Sequence, residues 1–150
     1  MIVHAGCMAL RMQGRWRGVL ITGRSGVGKS DLALRLLERG WRLVADDRTL
    51  LWRSGERLCG RAPDALHGLM EIRGLHVGAA PALPFAFLAL QAECAPPIER
   101  MPAPDDAELL GARLPRMRIA PLEASAPARL ERALRAALTQ GLDASAPGRI

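Results

Sequence analysis

Gly23-Arg24-Ser25-Gly26-Val27-Gly28-Lys29-Ser30 follows the apolar run Val19-Leu20-Ile21 and precedes a segment with Leu32, Ala33, Leu36 and Leu37 at helical spacing. A Gly-x-x-x-x-Gly-Lys-Ser pattern between a strand and a helix is the phosphate-cradling P-loop. Glycines let backbone N–H groups converge on phosphate oxygens with no Cβ in the way. The helix N-terminus adds partial positive charge. Lys29 reaches the β- and γ-phosphates, and the Ser30 hydroxyl is suited to Mg²⁺. Gly23, Gly26 and Gly28 have the wrong spacing for a dinucleotide-binding G-x-G-x-x-G turn.

Composition supports this reading. The formal net charge is +6, and Lys29 is the only lysine; every other cationic side chain apart from histidine is Arg. A lone lysine kept where phosphate chemistry needs a slender, flexible ammonium fits the P-loop. The basic balance suits ATP or an acidic partner. There is no basic run interleaved with aromatics, and Tyr is absent, so nucleic acid is not an expected partner. No apolar run approaches the ~20 residues of a membrane helix. Met1–Gly14 lacks an early basic region followed by an apolar run. A cytoplasmic protein without membrane attachment is expected. Cys7, Cys59 and Cys94 are odd in number and widely spaced, so buried or half-buried free thiols are expected rather than a disulfide framework or metal knuckle.

Working outward from the loop, Ile2–Met12 reads as a strand, Gln13-Gly14-Arg15 as a hairpin turn and Trp16–Thr22 as a buried strand. Ser30–Arg39 reads as a helix stopped by Gly40. Trp41–Ala45 is a strand ending in Asp46-Asp47. Thr49–Arg53 and Arg57–Arg61 form a hairpin around Ser54-Gly55. Further on, Asp64–Leu69 reads as a short helix, and Leu75–Val77, Phe85–Gln91 and Arg116–Ile119 as strands. Proline-rich Ala95–Pro104 reads as a loop. A helix begins at Pro127, with Leu130, Leu134, Ala137 and Leu138 as its apolar stripe. The expected fold is α/β: a P-loop domain over residues 1–140, with a mixed, partly parallel sheet and flanking helices, and a flexible tail over 141–150.

Three further groups are candidates for chemistry. Asp46-Asp47 closes a strand, where carboxyl ends converge on a ligand crevice. One carboxylate there can hold Mg²⁺ and the other can accept a proton from an attacking hydroxyl; the plain alternative is a turn-forming acidic pair. Glu71-Ile72-Arg73-Gly74 taken alone is no more than a solvated ion pair. His4, His67 and His76 show no metal-binding spacing.

Together, Ile21–Asp31, Leu43–Asp47 and Met70–Leu75 resemble, in order and spacing, the bacterial HPr kinase/phosphorylase family. That resemblance covers about Val3–Leu75. It implies a fold related to the HPr kinase C-terminal domain. It also implies ATP and Mg²⁺ as cofactors, with ATP-dependent phosphorylation of a seryl hydroxyl on HPr. HPr is the small phosphocarrier protein of the sugar phosphotransferase system, so a regulatory role in carbon and nitrogen metabolism is implied too. By similarity, Asp47 is the proton acceptor with Asp46 beside it, and His4 is an active-site histidine. Lys29 binds phosphate within Gly23–Ser30, and Ser30 and Glu71 are metal ligands. Asp31 stands where the family usually has Glu.

The family's long members carry a separate N-terminal domain, and this chain is expected to be a short, catalytic-domain form. The family has a mobile, Arg-containing loop after the Glu-Ile-Arg-Gly block; here the stretch begins Gly78-Ala79-Ala80-Pro81 and has no Arg. Activity in the kinase direction, rather than the reverse phosphorolysis, is therefore expected. A homo-oligomer is possible within the family. The competing readings are a small-molecule P-loop kinase, for which Arg113, Arg116 and Arg118 are lid candidates, and a non-catalytic nucleotide-binding regulator.

Overall fold

The computed structural model describes residues 1–72, 74–96 and 104–144. Arg73 and most of the Ala95–Pro104 loop lie outside the described residues, as do 145–150 of the expected tail.

The first elements are β1 (Ile2–Val3), β2 (Gly6–Met12), β3 (Arg15–Thr22), α1 (Lys29–Leu37) and β4 (Arg42–Ala45). The hairpin β5 (Thr49–Ser54) and β6 (Arg57–Arg61) follows, then the small ribbon β7 (Leu69–Ile72) and β8 (His76–Ala79). The chain then forms β9 (Ala86–Cys94), β10 (Asp105–Leu109), β11 (Ala112–Ile119) and α2 (Ala126–Ala144). The main sheet runs β1-β5-β6-β9-β3-β2-β4, with β11 and then β10 attached to β9. The β3–β9 and β9–β11 pairs are parallel and the rest antiparallel, so the expected mixed, partly parallel sheet is present.

Local chemistry explains the differences from the sequence reading. The expected first strand is broken at His4 and Ala5, because β1 leaves β2 and pairs with β5 through Ile2↔Leu50 and Val3↔Thr49. The buried Thr49 hydroxyl donates to the Ala5 carbonyl (2.8 Å), which fixes the break. The expected helix over Asp64–Leu69 shrinks to a 3-10 turn at Asp64–Leu66, and Leu69 begins β7. Gly68, at φ 72°, allows that change of direction. β10 is an additional strand. Its Asp105-Asp106 start is poor in strand-forming residues, but Arg116 holds Asp105 across the hairpin at 2.7 Å.

The alternation of buried residues divides the interior into two layers. Met8, Val19, Ile21, Leu90 and Ala92 face both helices, meeting Leu32 and Leu36 of α1 and Leu130 and Leu134 of α2. The flanking helices therefore lie on one face of the sheet. They are tied by Glu131, which accepts from Arg39 and from Trp41 Nε1 (3.0 Å). On the other face Cys7, Ala9, Leu20 and Val44 pack against Leu51, Ala62 and Ala86, where the β5–β6 hairpin curls over. The outer edge of β4 is covered by the segment after β8: Leu43 N–H donates to the Pro81 carbonyl, and Leu83 N–H to the Leu43 carbonyl, both at 2.8 Å. All three cysteines are buried and free. Burial pushes the Cys7 thiol up to about 12, which suppresses the reactive thiolate. No helix among the described residues is long and apolar enough to cross a membrane.

Candidate active site

Strand directions bring the candidate groups together. β2 is antiparallel to both β3 and β4, so β3 and β4 run the same way. Their carboxyl ends, the P-loop and Asp46-Asp47, therefore emerge at the same end of the sheet. The expected convergence is present, although β4 reaches it through an antiparallel neighbour.

The loop leaves backbone donors uncapped at the start of α1. Gly28 is the N-cap of α1 at φ 114°, with no side-chain cap, so the first-turn N–H groups are left for an anion. A Cβ on Gly28 would lie 2.8 Å from Leu122 Cδ2. Leu122 and Pro121 therefore back the loop, a packing role with no signal in the P-loop motif itself. Arg35 of α1 holds this segment by donating to the Pro121 and Glu123 carbonyls. At Gly23 (φ 146°) a Cβ would stand 3.0 Å from both the Cβ and the carbonyl oxygen of Cys94. Lys29 Nζ donates to the carbonyls of Gly23 (2.7 Å) and Arg24 (2.9 Å), which holds the ammonium over the loop.

Asp46 sits at the centre of a small network. Its Oδ1 accepts from Ser30 Oγ at 3.4 Å and its Oδ2 from the backbone N–H of Glu71 at 3.0 Å. The β7–β8 ribbon is thus docked on the site through a main-chain donor that residue-type reasoning missed. Ser30 Oγ and the Asp46 carboxylate are hard oxygen groups in mutual contact, and Glu71, whose side chain is exposed, meets Asp46 through its backbone N–H. No cluster of three or more His, Cys, Asp or Glu forms a metal cage among the described residues.

Asp47 turns the other way. It adopts a left-handed φ of 66°, a conformation that Asp and Asn tolerate better than most residues. Its Oδ1 lies 2.6 Å from His4 Nε2, and both side chains are more than half exposed. The contact follows from the β1–β5 register, since Val3 stands opposite Thr49. Asp46 is therefore engaged with Ser30 and Glu71, whereas Asp47 is presented to solvent with an imidazole as its partner. Arg73 is outside the described residues. Arg113 pairs with Asp106 and Arg118 with Glu93, while Arg116 is held by Asp105.

Burial holds the Asp46 carboxyl above its usual range. The Glu71 N–H opposes the shift, Asp47 adds to it, Ser30 opposes it and Glu71's charge adds to it. The sign fixes a pH dependence. A carboxyl with a raised folded-state pKa binds its proton more tightly folded than unfolded, so stability falls as pH rises through that window. Asp46→Asn removes the buried charge. The variant is expected to melt above the wild type at pH 7–8, with the gap closing as pH falls towards the ordinary carboxylate value of about 3.9. Thermal denaturation across pH checks this, and an Asn variant less stable at neutral pH would contradict it.

The chain is similar to known proteins in sequence and in fold. The sequence profile described as HPr Serine kinase C-terminal domain matches residues 3–79. The HPr kinase/phosphorylase of Lactiplantibacillus plantarum is 56% identical over 61 residues, 40% of this chain and 19% of that protein. The protein of the same name from Halalkalibacterium halodurans is 51% identical over 81 residues, 49% of this chain and 26% of that protein. These matches span about a fifth to a quarter of the relatives' length. A solved structure of the Hpr(Ser) kinase/phosphatase from Coxiella burnetii superposes with a TM-score of 0.78 at 25% identity, covering 93% of this chain and 97% of that one. With its profile match over half the sequence and its fold shared nearly end to end, this chain belongs to the HPr serine kinase C-terminal domain family.

Proposed function

We propose that this chain is an ATP-dependent protein-serine kinase acting on a seryl hydroxyl of an HPr-like phosphocarrier protein of the phosphotransferase system. The observation that carries this reading is the pairing of a P-loop with two differently employed carboxylates at one end of the sheet. In the proposed mechanism the loop N–H groups and Lys29 hold the β- and γ-phosphates. Ser30, Asp46 and Glu71 are the residues that would hold Mg²⁺, which would supply charge neutralisation for the transferred group. Asp47, steadied by His4, accepts the proton as the seryl oxygen attacks the γ-phosphorus and the bond to ADP breaks.

A pure nucleotide-binding module has no use for an exposed carboxylate oriented by a histidine. A small-molecule kinase usually needs cationic lid groups free for its substrate, whereas Arg116 and Arg118 are engaged by carboxylates. The forward direction is favoured because phosphorolysis must hold phosphate against a phosphoserine, two anions that require added cationic donors. Residues Gly78–Phe87 supply none.

Nucleotide binding is tested at Lys29. Lys29→Ala removes a charge-assisted phosphate contact of ~1.5–3 kcal/mol, so calorimetry is expected to give ATP·Mg²⁺ affinity ten- to over a hundredfold weaker. Unchanged affinity would remove the P-loop from the account.

A further inference from the structure

At the end of the sheet away from the P-loop the strands fork. β9 has β6 beside it at Ala86 and Phe87 and β11 beside it from Gln91 to Cys94. Between these ladders the registered partners of Leu88 and Leu90 lie on β3, on the opposite side. The wedge between β6 and β11 opens a cavity of about 240 Å³, lined among others by Trp16, Arg17, Arg57, Phe87, Leu88 and Arg113. At about 30 Å³ per water, that is room for a small molecule and too little for a folded partner.

Its charge is mainly positive, with Arg17, Arg57 and Arg113 against the carboxylate of Glu56. Among the described residues neither Arg17 nor Arg57 enters an ion pair; the same holds for surface arginines such as Arg11, Arg15 and Arg42, but Arg17 and Arg57 line one cavity together. Arg113, 80% exposed, reaches Asp106 only at 4.0 Å. The rim carboxylate Glu56 is fully exposed and lies 3.9 Å from Arg53. Arg17 commits its Nε to the Met12 carbonyl (3.2 Å). The Arg57 guanidinium carbon sits 3.3 Å over the Phe87 ring centre, which orders it before any ligand arrives. Burial first, then the charges of Arg15 and Arg57, lower the pKa of Arg17 from its ordinary value, consistent with cations crowded without a counterion.

We propose that this fork is a second anion site, taking the phosphoryl group of a small phosphorylated molecule. A phosphoryl group brings a charge of about −1.5 to −2 and three strong acceptor oxygens, and guanidinium forks pair with such oxygens two at a time. The site is separate from the P-loop. Arg17 and Gly23 are six positions apart along β3, roughly 20 Å at ~3.3 Å per residue.

The probe is pyrophosphate, titrated into the Lys29→Ala chain so that the P-loop is weakened. The readout is the indole N–H resonances of the three tryptophans. Trp16 lines the cavity, whereas Trp41 is buried beside the helices. A saturable shift of the Trp16 signal is expected, with affinity weakened about tenfold or more by Arg17→Gln and by Arg57→Gln. Arg113→Gln, at a side chain too exposed to matter for folding, is expected to weaken it as well. Unmoved Trp41 and Trp52 signals verify that each variant is folded. A Trp16 resonance unmoved at millimolar pyrophosphate, or moved equally in all three Gln variants, would overturn the site. Malonate binding as tightly as pyrophosphate would overturn its assignment to phosphoryl groups.

Discussion

Replacing Asp47 with Asn is expected to leave ATP·Mg²⁺ affinity within about twofold and to slow phosphoryl transfer by about 10²–10⁴, the usual contribution of a positioned general base. The substitution is well suited to the question. Asn tolerates the left-handed φ of 66° found at Asp47 about as well as Asp does, so the turn survives. An amide oxygen still accepts from His4 Nε2, which lies 2.6 Å from the carboxylate in the parent, but an amide does not take up the seryl proton. Single-turnover transfer from labelled ATP separates binding from chemistry. Transfer at the parental rate would remove Asp47 from the mechanism. Asp46→Asn inactive beside an active Asp47→Asn would exchange the two roles.

The second large effect is on the fold. Leu130 of α2 is fully buried in the layer that also holds Ile21, Leu32 and Leu36. Leu130→Ala leaves a cavity between α2 and the sheet and is expected to cost about 2–5 kcal/mol. At roughly 2–4 °C per kcal/mol for a chain of this size, thermal denaturation reads the loss as a clear drop in Tm. The site tests more than packing, because the family profile ends at residue 79, well before α2. A parental melting temperature would mean that α2 is not part of the cooperative unit, and that Leu122, just before it, does not back Gly28 as described.

The first half of the fold was legible because its signals are local. The β2–β3 hairpin follows from Gln13-Gly14, both at positive φ, and α1 from a P-loop followed by an apolar stripe. Asp46-Asp47 reads as a strand end from the apolar run Leu43-Val44-Ala45 before it, and β4 does end at Ala45. What was not legible depends on distant partners. The break at His4–Ala5 exists because β1 pairs with β5 and Thr49 reaches back to Ala5, and no window around His4 contains that information. β10 was hidden twice. Its acidic start is unlike a strand, and its turn places Leu110 at φ 51° before Gly111, a position where Asn or Asp would have given the signal. The division of labour between the two aspartates was likewise unreadable from the dipeptide. It arises because the Glu71 N–H and Ser30 Oγ hold Asp46 while a left-handed residue turns Asp47 towards His4. The resemblance supplied the roles, and the geometry supplies the physical difference between the two side chains.

A protein-serine kinase must move the γ-phosphoryl group onto a seryl oxygen. The most direct measurement incubates the purified chain with γ-labelled ATP, Mg²⁺ and an HPr-like phosphocarrier protein, then follows the label on the acceptor. Acid-stable label on the acceptor is expected, lost when the acceptor serine is changed to Ala and lost with Asp47→Asn in the chain. A chain that binds ATP yet leaves the acceptor unlabelled, or labels it equally after the serine is removed, would contradict the account.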